Sequence, residues 1–264
     1  MTKTKHEQQL DYTFENLVAI MKRLRKECPW DREQTHDSIK GHTIEEAFEV
    51  VQAIDDKDYD ELKSELGDLL LHVVFHSEIA LGENRFSIED VIRAITDKLI
   101  RRHPHVFGDV DVADSQEVKK NWEQIKMTEG RESVVDGVPL TLPALLKAYR
   151  MQDKAAKVGF DWRQREDVWK KVEEETQELH AAIEHESHAR IEEEFGDLLF
   201  ALVNYARFVH INPEDALRKT IDKFATRFRY IEKRMKEEGK EIQESSLEEM
   251  DVFWEEAKRI KRSE

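Results

Sequence analysis

The chain has 264 residues, 38% of them Asp, Glu, Lys or Arg, with 9 Gly and 5 Pro, a mixture that suits one or two mostly helical domains. Its net charge of −16 argues against a surface built to hold nucleic acid, and its single cysteine, Cys28, excludes an intramolecular disulfide or a cysteine-built metal site. Met1–Gln9 does not read as a secretory signal and no apolar run approaches a membrane span, so a cytoplasmic location without membrane contact is expected.

Phe14, Leu17, Val18, Met21 and Leu24 form one helical stripe, which Cys28-Pro29-Trp30-Asp31 ends. A helix is expected from about Thr43 to Asp55 and another from about Asp60 to Leu81. The latter is apolar nearly all round between Leu69 and Phe75, which predicts burial on several sides, within the monomer or against a second subunit. Ser87 with Asp90 caps a helix that runs through Arg101 and stops at His103-Pro104-His105. Asp114 with Glu117 opens the next, which carries Trp122-Glu123.

Residues 129–143 contain two of the glycines and two of the prolines, and supply the linker. The division expected is a first repeat at 1–130, a linker at 131–141 and a second repeat at 142–264. The second repeat starts a helix near Leu142, broken by Gly159-Phe160-Asp161-Trp162. Helices follow near Glu166–Glu184 and Ala189–His210. Asn212-Pro213-Glu214-Asp215 is a strong start for a helix reaching about Glu238. Ser246 with Glu249 opens the last helix, bearing Trp254-Glu255. No strand is expected, and the fold class is all-α.

The two halves share a register. Glu45, Glu46, Glu49, Glu65 and Asp68 recur 129 positions later as Glu174, Glu175, Glu178, Glu194 and Asp197, as do Gly67, Leu69-Leu70 and Val74 as Gly196, Leu198-Leu199 and Val203. At an offset of 125, Asp97-Lys98 and Arg102 answer Asp222-Lys223 and Arg227. Trp122-Glu123 with Lys126 answers Trp254-Glu255 with Lys258. The chain is a duplication.

Acids three apart on a helix point the same way, so each half brings four carboxylates together: Glu46, Glu49, Glu65 and Asp68, or Glu175, Glu178, Glu194 and Asp197. Four such charges in a partly buried place require a cation, and oxygen-only ligands suit Mg²⁺. Gly67 and Gly196 either allow close helix packing or keep space near the metal. Lys223 and Arg227 lie four apart on one helical face and suit phosphate, Lys as a point charge and Arg as a fork. Trp254 is either core or a wall for a base. Metal, cations and aromatic together describe a site for a nucleotide polyphosphate, without a Walker-type glycine loop.

These residues resemble the MazG family of nucleoside triphosphate pyrophosphohydrolases in its two-repeat bacterial form. The resemblance covers essentially the whole chain. It is carried by Cys28-Pro29-Trp30-Asp31 with Gln34-Thr35, by the Glu-Glu-x-x-Glu … Glu-x-x-Asp pattern at Glu45–Asp68 and Glu174–Asp197, and by Arg101-Arg102-His103-Pro104-His105-Val106-Phe107. It implies two tandem helical-bundle repeats in a homodimer and Mg²⁺-dependent hydrolysis of NTP or dNTP to monophosphate and pyrophosphate, in the service of clearing aberrant nucleotides. It also implies that Glu175, Glu178, Glu194 and Asp197 hold metal, that Lys171, Lys223 and Arg227 grip the nucleotide, and that Trp254 with Lys258 lies by the base. Glu174 or Glu193 would position the water. The first half keeps Glu46, Glu49, Glu65 and Asp68 but has His42 where the second has Lys171, and His103-Pro104 where the second continues as helix. The second half is therefore the expected working site, and the first is weaker, selective or structural.

Two rivals stand beside this reading. A dimetal-carboxylate oxidase would use Glu-x-x-His pairs, but Asp68 and Asp197 occupy the histidine positions. A non-enzymatic helical scaffold would have its acids on the surface and show neither turnover nor metal-linked stabilisation.

Overall fold

Side-chain caps set where most of the helices begin. Thr13 Oγ1 accepts from the Asn16 N–H at 3.2 Å and opens α1 (Phe14–Glu27), and the short α2 (Pro29–Glu33) starts on its proline. α3 (His36–Asp56) begins at a reciprocal box: Thr35 Oγ1 accepts from the Ser38 N–H at 3.2 Å, and Ser38 Oγ accepts from the Thr35 N–H at 2.9 Å. The helix thus starts well before Thr43, because a serine can close a box expected of Glu or Gln, and the helix then runs through Gly41. Lys57 in the left-handed region ends α3, and Asp58 at once caps α4 (Tyr59–Gly82) by accepting from the Asp60 and Glu61 N–H groups. So short a connection makes α3 and α4 an antiparallel pair. Ser87 and Asp90 box the start of α5 (Ile88–Arg102), which gives way at His103 to the single turn α6 (Pro104–Phe107).

The second half runs α7 (Ala144–Lys157), α8 (Arg165–His185), α9 (His188–Phe208), α10 (Pro213–Glu237), a 3₁₀ turn (Ile242–Glu244) and α11 (Leu247–Ile260). Asn212 caps α10 ahead of Pro213, and Ser246 with Glu249 boxes α11, as expected from sequence. This is a computed structural model, and it describes residues 11–114, 117, 118, 121, 122, 125 and 133–260. Among them there is no strand, and no helix is long and apolar enough to cross a membrane. The fold is all-α. Asp114 Oδ1 accepts from the Glu117 N–H at 3.0 Å, the cap expected there. Glu123, Lys126 and residues 131–132 of the expected linker lie outside the described residues.

Contacts divide the chain into two compact units, Met1–Ala113 and Asp114–Glu264. In the first, Val18 and Met21 of α1, Ile39 of α3, Val74, Phe75 and Ile79 of α4 and Ile88 of α5 make the core. In the second, α8 lies along α9, and Ile231, Met235 and Phe253 close the α10–α11 corner. Buried Lys154 of α7 ties down the turn after residue 132, donating to the carbonyls of Val134 at 3.2 Å and Asp136 at 2.9 Å.

Within the chain the apolar middle of α4 buries Val74 and Phe75 and leaves Leu70 and Val73 each 41% exposed, so of the two expected ways of covering this helix on several sides the monomer supplies only part. A methyl group on Gly67 or Gly196 would meet nothing within 4 Å beyond its own stretch of helix, so of the two readings of these glycines close helix packing within the chain falls.

Candidate metal centre and substrate site

In the second unit, α8 supplies Glu174, Glu175 and Glu178 and α9 supplies Glu193, Glu194 and Asp197. Oxygens of Glu175, Glu194 and Asp197 come within 4.8 Å of one another, as do those of Glu174, Glu175 and Glu178. Glu175 belongs to both groups, so the acidic residues expected from the Glu-x-x-Glu and Glu-x-x-Asp spacings gather around it. Glu175 and Glu194 are buried; Glu174, Glu178 and Asp197 are exposed. Burial pushes the Glu194 carboxyl above its usual range; Arg190 opposes that, and the charges of Glu178, Asp197 and Glu175 reinforce it.

Two cations sit on this cluster. Lys171, one turn before Glu175, donates to Glu174 at 2.6 Å and lies 2.7 Å from Glu175, and its hydrogen bonds to both hold its ammonium above the usual lysine range. Arg190, one turn before Glu194, donates to Glu193 at 2.6 Å and pairs with Glu194. Arg190 is the residue that sequence reasoning missed. Its only signal was a spacing of three and four to two acids, which on a helix as charged as this one reads as surface pairing. Glu194 Oε2, fully buried, has no hydrogen-bond partner.

The first unit repeats the acids and not the cations. Oxygens of Glu46, Glu49 and Glu65 lie within 4.8 Å of one another. Burial raises the pKa values of Glu46 and Glu65, and repulsion from Glu49 and Asp68 adds to both shifts. Where the second unit has Lys171 and Arg190, this one has His42 and Glu61, and Glu61 raises the Glu65 carboxyl further. His72 lies beside Glu46, with Nε2 3.8 Å from Glu46 Oε1; burial, then His42, pushes its imidazole below the usual range.

Arg227, Trp254 and Lys258 meet where α10 packs on α11. The Arg227 guanidinium lies 5.3 Å and the Lys258 ammonium 5.8 Å from the Trp254 ring centre, and the Phe224 ring is 5.5 Å away. Lys258 also donates to Glu255. Trp254 is half-buried against the Ile231–Met235–Phe253 cluster, so it is partly core and partly open. Lys223 is exposed one turn before Arg227. The expected residues thus fall into two local groups, the acids with Lys171 on α8 and α9, and the aromatic group on α10 and α11.

The MazG nucleotide pyrophosphohydrolase domain matches this chain twice, over residues 34–107 and 163–231. The chain belongs to the MazG family. Each match contains one acidic cluster, and the second also takes in Lys171, Arg190, Lys223 and Arg227 but stops short of Trp254 and Lys258. The chain is 47% identical over 250 residues to the nucleoside triphosphate pyrophosphohydrolase/pyrophosphatase MazG of Thermotoga maritima, covering 93% of this chain and 95% of that one. It is 45% identical over 258 residues to the nucleoside triphosphate pyrophosphohydrolase of Escherichia coli K12, covering 93% and 97%. A Bacillus subtilis protein, YabN, is 50% identical over 264 residues, which span 98% of this chain and 54% of YabN.

Proposed function

We propose that this MazG-family chain hydrolyses nucleoside triphosphates, ribo or deoxy, to the monophosphate and pyrophosphate with Mg²⁺ at the acidic centre of the second unit. The observation that carries the proposal is the buried, unpartnered Oε2 of Glu194 beside Glu175 and Asp197. A buried carboxylate oxygen without a donor is costly, and a divalent ion is the partner that oxygen ligands favour. Glu175, Glu178, Glu194 and Asp197 would hold it. Bound there, Mg²⁺ would neutralise phosphate charge and polarise the phosphoryl group under attack.

The chain's own side chains do the rest. Lys171 and Arg190 neutralise the acids while no substrate is present, and each also engages a candidate base, Glu174 or Glu193. An arriving polyphosphate is a stronger magnet for both cations, because it accepts several charge-assisted hydrogen bonds. Drawing Lys171 or Arg190 onto phosphate frees Glu174 or Glu193 to take a proton from the attacking water. Substrate binding and base release are then one event. Lys223 and Arg227 extend the phosphate grip, and Trp254 with Lys258 lines the base. In the first unit, Glu46, Glu49, Glu65 and Asp68 would hold an ion without a lysine at position 42 or an arginine at position 61, so that unit is slow or structural. Exposed apolar residues on the two hairpins, Leu66, Leu70 and Val73 on α4 and Phe195, Leu199 and Leu202 on α9, support a homodimer.

Activity apportioned between Glu194→Gln and Glu65→Gln tests this assignment. The first is expected to lower nucleotide turnover about a hundredfold or more, as loss of a metal-site group does, and the second to leave most of it. The reverse pattern would move the working site to the first unit.

A further inference from the structure

The first turn of α3 is fastened to α4 through a pair of histidines. His36 Nδ1 and His76 Nδ1 are 2.8 Å apart, with the ring centres 5.1 Å apart and the ring planes at 10° to one another. Those values put both nitrogens on the line joining the rings, so the imidazoles meet edge to edge, with N–H and lone pair aligned. On its other side His76 Nε2 lies 3.1 Å from Thr43 Oγ1, which also reaches the Ile39 carbonyl at 3.3 Å and His72 Nδ1 at 3.0 Å. Both histidines of the pair are half-buried. At the positions of His36, Thr43 and His76 the second unit has Arg165, Val172 and Tyr205, so the pair belongs to the first unit alone.

A ring nitrogen donates only when protonated and accepts only when it is not. Two such atoms 2.8 Å apart therefore share one proton. The pair accommodates one added proton whichever ring takes it, because one Nδ1 can still donate and the other accept. A second added proton would set two N–H groups against each other and place two positive charges on adjoining rings. Separated, the same histidines would take up both. Burial, then His36 and His72, pushes the His76 imidazole below the usual range, in the same sense. Other charged groups surround the pair. Asp37 and Lys40 of α3 bond to each other, and His42 of the same helix faces His72. On α1, Lys22 approaches Glu78 of α4, and Arg25 lies over Phe75 and donates to the carbonyls of Asp31 and Gln34; Glu89 of α5 acts on Glu78. Among the described residues none of these bonds to either imidazole of the pair.

We propose that His36 and His76 form an acid-sensitive clasp, which holds the start of α3 on α4 while the two rings share a proton and releases it as the pair takes up a second added one. By linkage, the open form binds more protons than the closed form below the ordinary 6.5, so closure is complete above that pH and weakens as pH falls through it. The part that opens is the start of the helix that carries Glu46 and Glu49. The raised carboxyls of Glu46 and Glu65 stabilise the metal-free closed form as pH falls, and so act in the opposite sense.

Hydrogen exchange of the 264-residue chain, read by mass spectrometry in chelator at pH 7.5 and 5.5 and corrected for the intrinsic effect of pH, tests this. One proton taken up on opening shifts the equilibrium about tenfold for each pH unit below 6.5. Protection of amides 39–43 is therefore expected to fall about tenfold at pH 5.5, while amides 168–172 of α8 keep theirs. His76→Gln is expected to flatten the response, because an amide offers His36 either a donor or an acceptor and does not titrate. His36→Gln is expected to do the same, and it serves if the His76 variant does not fold. His42→Gln, outside the pair, is expected to keep the response. Unchanged protection of α3 at pH 5.5, an equal loss in α8, or a response that survives in both His36→Gln and His76→Gln overturns the clasp.

Discussion

Arg190 and Lys171 explain how the second unit stands without metal. Each places a full positive charge against a buried carboxylate, at Glu194 and Glu175, so the acids are half-neutralised before any ion arrives. Arg190→Ala should therefore lower the melting temperature in chelator and enlarge the rise that Mg²⁺ produces, because the ion no longer competes with a guanidinium. An unchanged Mg²⁺ effect would mean that the ion does not bind at Glu194. Lys171→Ala should lower kcat/KM by about 10- to 100-fold, the worth of one charge-assisted hydrogen bond to phosphate. The same side chains predict a pH dependence. Glu46, Glu65 and Glu194 have folded pKa values raised above the ordinary 4.5, so between 4.5 and those higher values the metal-free native chain binds more protons than the unfolded one. By linkage, these groups make the metal-free chain less stable as pH rises through that interval. Stabilisation by Mg²⁺ should accordingly be small at pH 5 and larger at pH 7.5 in thermal melts, and a constant shift would contradict the account.

Helices present these side chains in register, and the helices were largely legible because their signals are local. Asn212-Pro213, Ser87 with Asp90 and Ser246 with Glu249 mark starts within four residues of chain, and the structure bears each of them out. The start of α3 was not legible in the same way, since Thr35 with Ser38 is a weaker form of the box and Gly41 interrupts the pattern. Its cap predicts that Thr35→Ala costs about 1 kcal/mol in urea unfolding. The acidic clusters could be read from periodicity, because i, i+3 spacing fixes a face and duplication repeats it. The contacts of His36 with His76 at 2.8 Å and of Thr43 with His72 at 3.0 Å could not, because they join α3 to α4 and no periodicity within one helix encodes that. Gly67 and Gly196 remain helical at a cost of ~1 kcal/mol each relative to alanine. With open space at each Cβ, Gly196→Ala should stabilise the isolated chain by about that amount. Destabilisation instead would place a second subunit or a ligand in that space.

For the chain as a whole, duplication has produced two units of one plan and different chemistry. Both carry the carboxylates, and His42 and Glu61 stand in the first where Lys171 and Arg190 stand in the second, which is the difference on which the proposed division of activity rests. The apolar residues left open on α4 and α9 bear on assembly. Sedimentation should give a dimer, and Leu199→Glu should weaken it while leaving helix content intact; a monomeric wild-type chain would remove the dimer from the account. The all-round apolar character of Leu69–Phe75 was visible in sequence, whereas what covers it was not, because an apolar helix carries no information on whether the covering surface comes from the same chain.

In the proposed reaction, water activated in the second unit attacks the α-phosphorus. Hydrolysis of a nucleoside triphosphate by the 264-residue chain with Mg²⁺ in ¹⁸O-water is the measurement that decides it. The expected products are monophosphate and pyrophosphate, with the label in the monophosphate and the reaction lost in Glu194→Gln. Diphosphate with labelled orthophosphate would contradict the position of cleavage, and label in pyrophosphate would contradict the atom attacked.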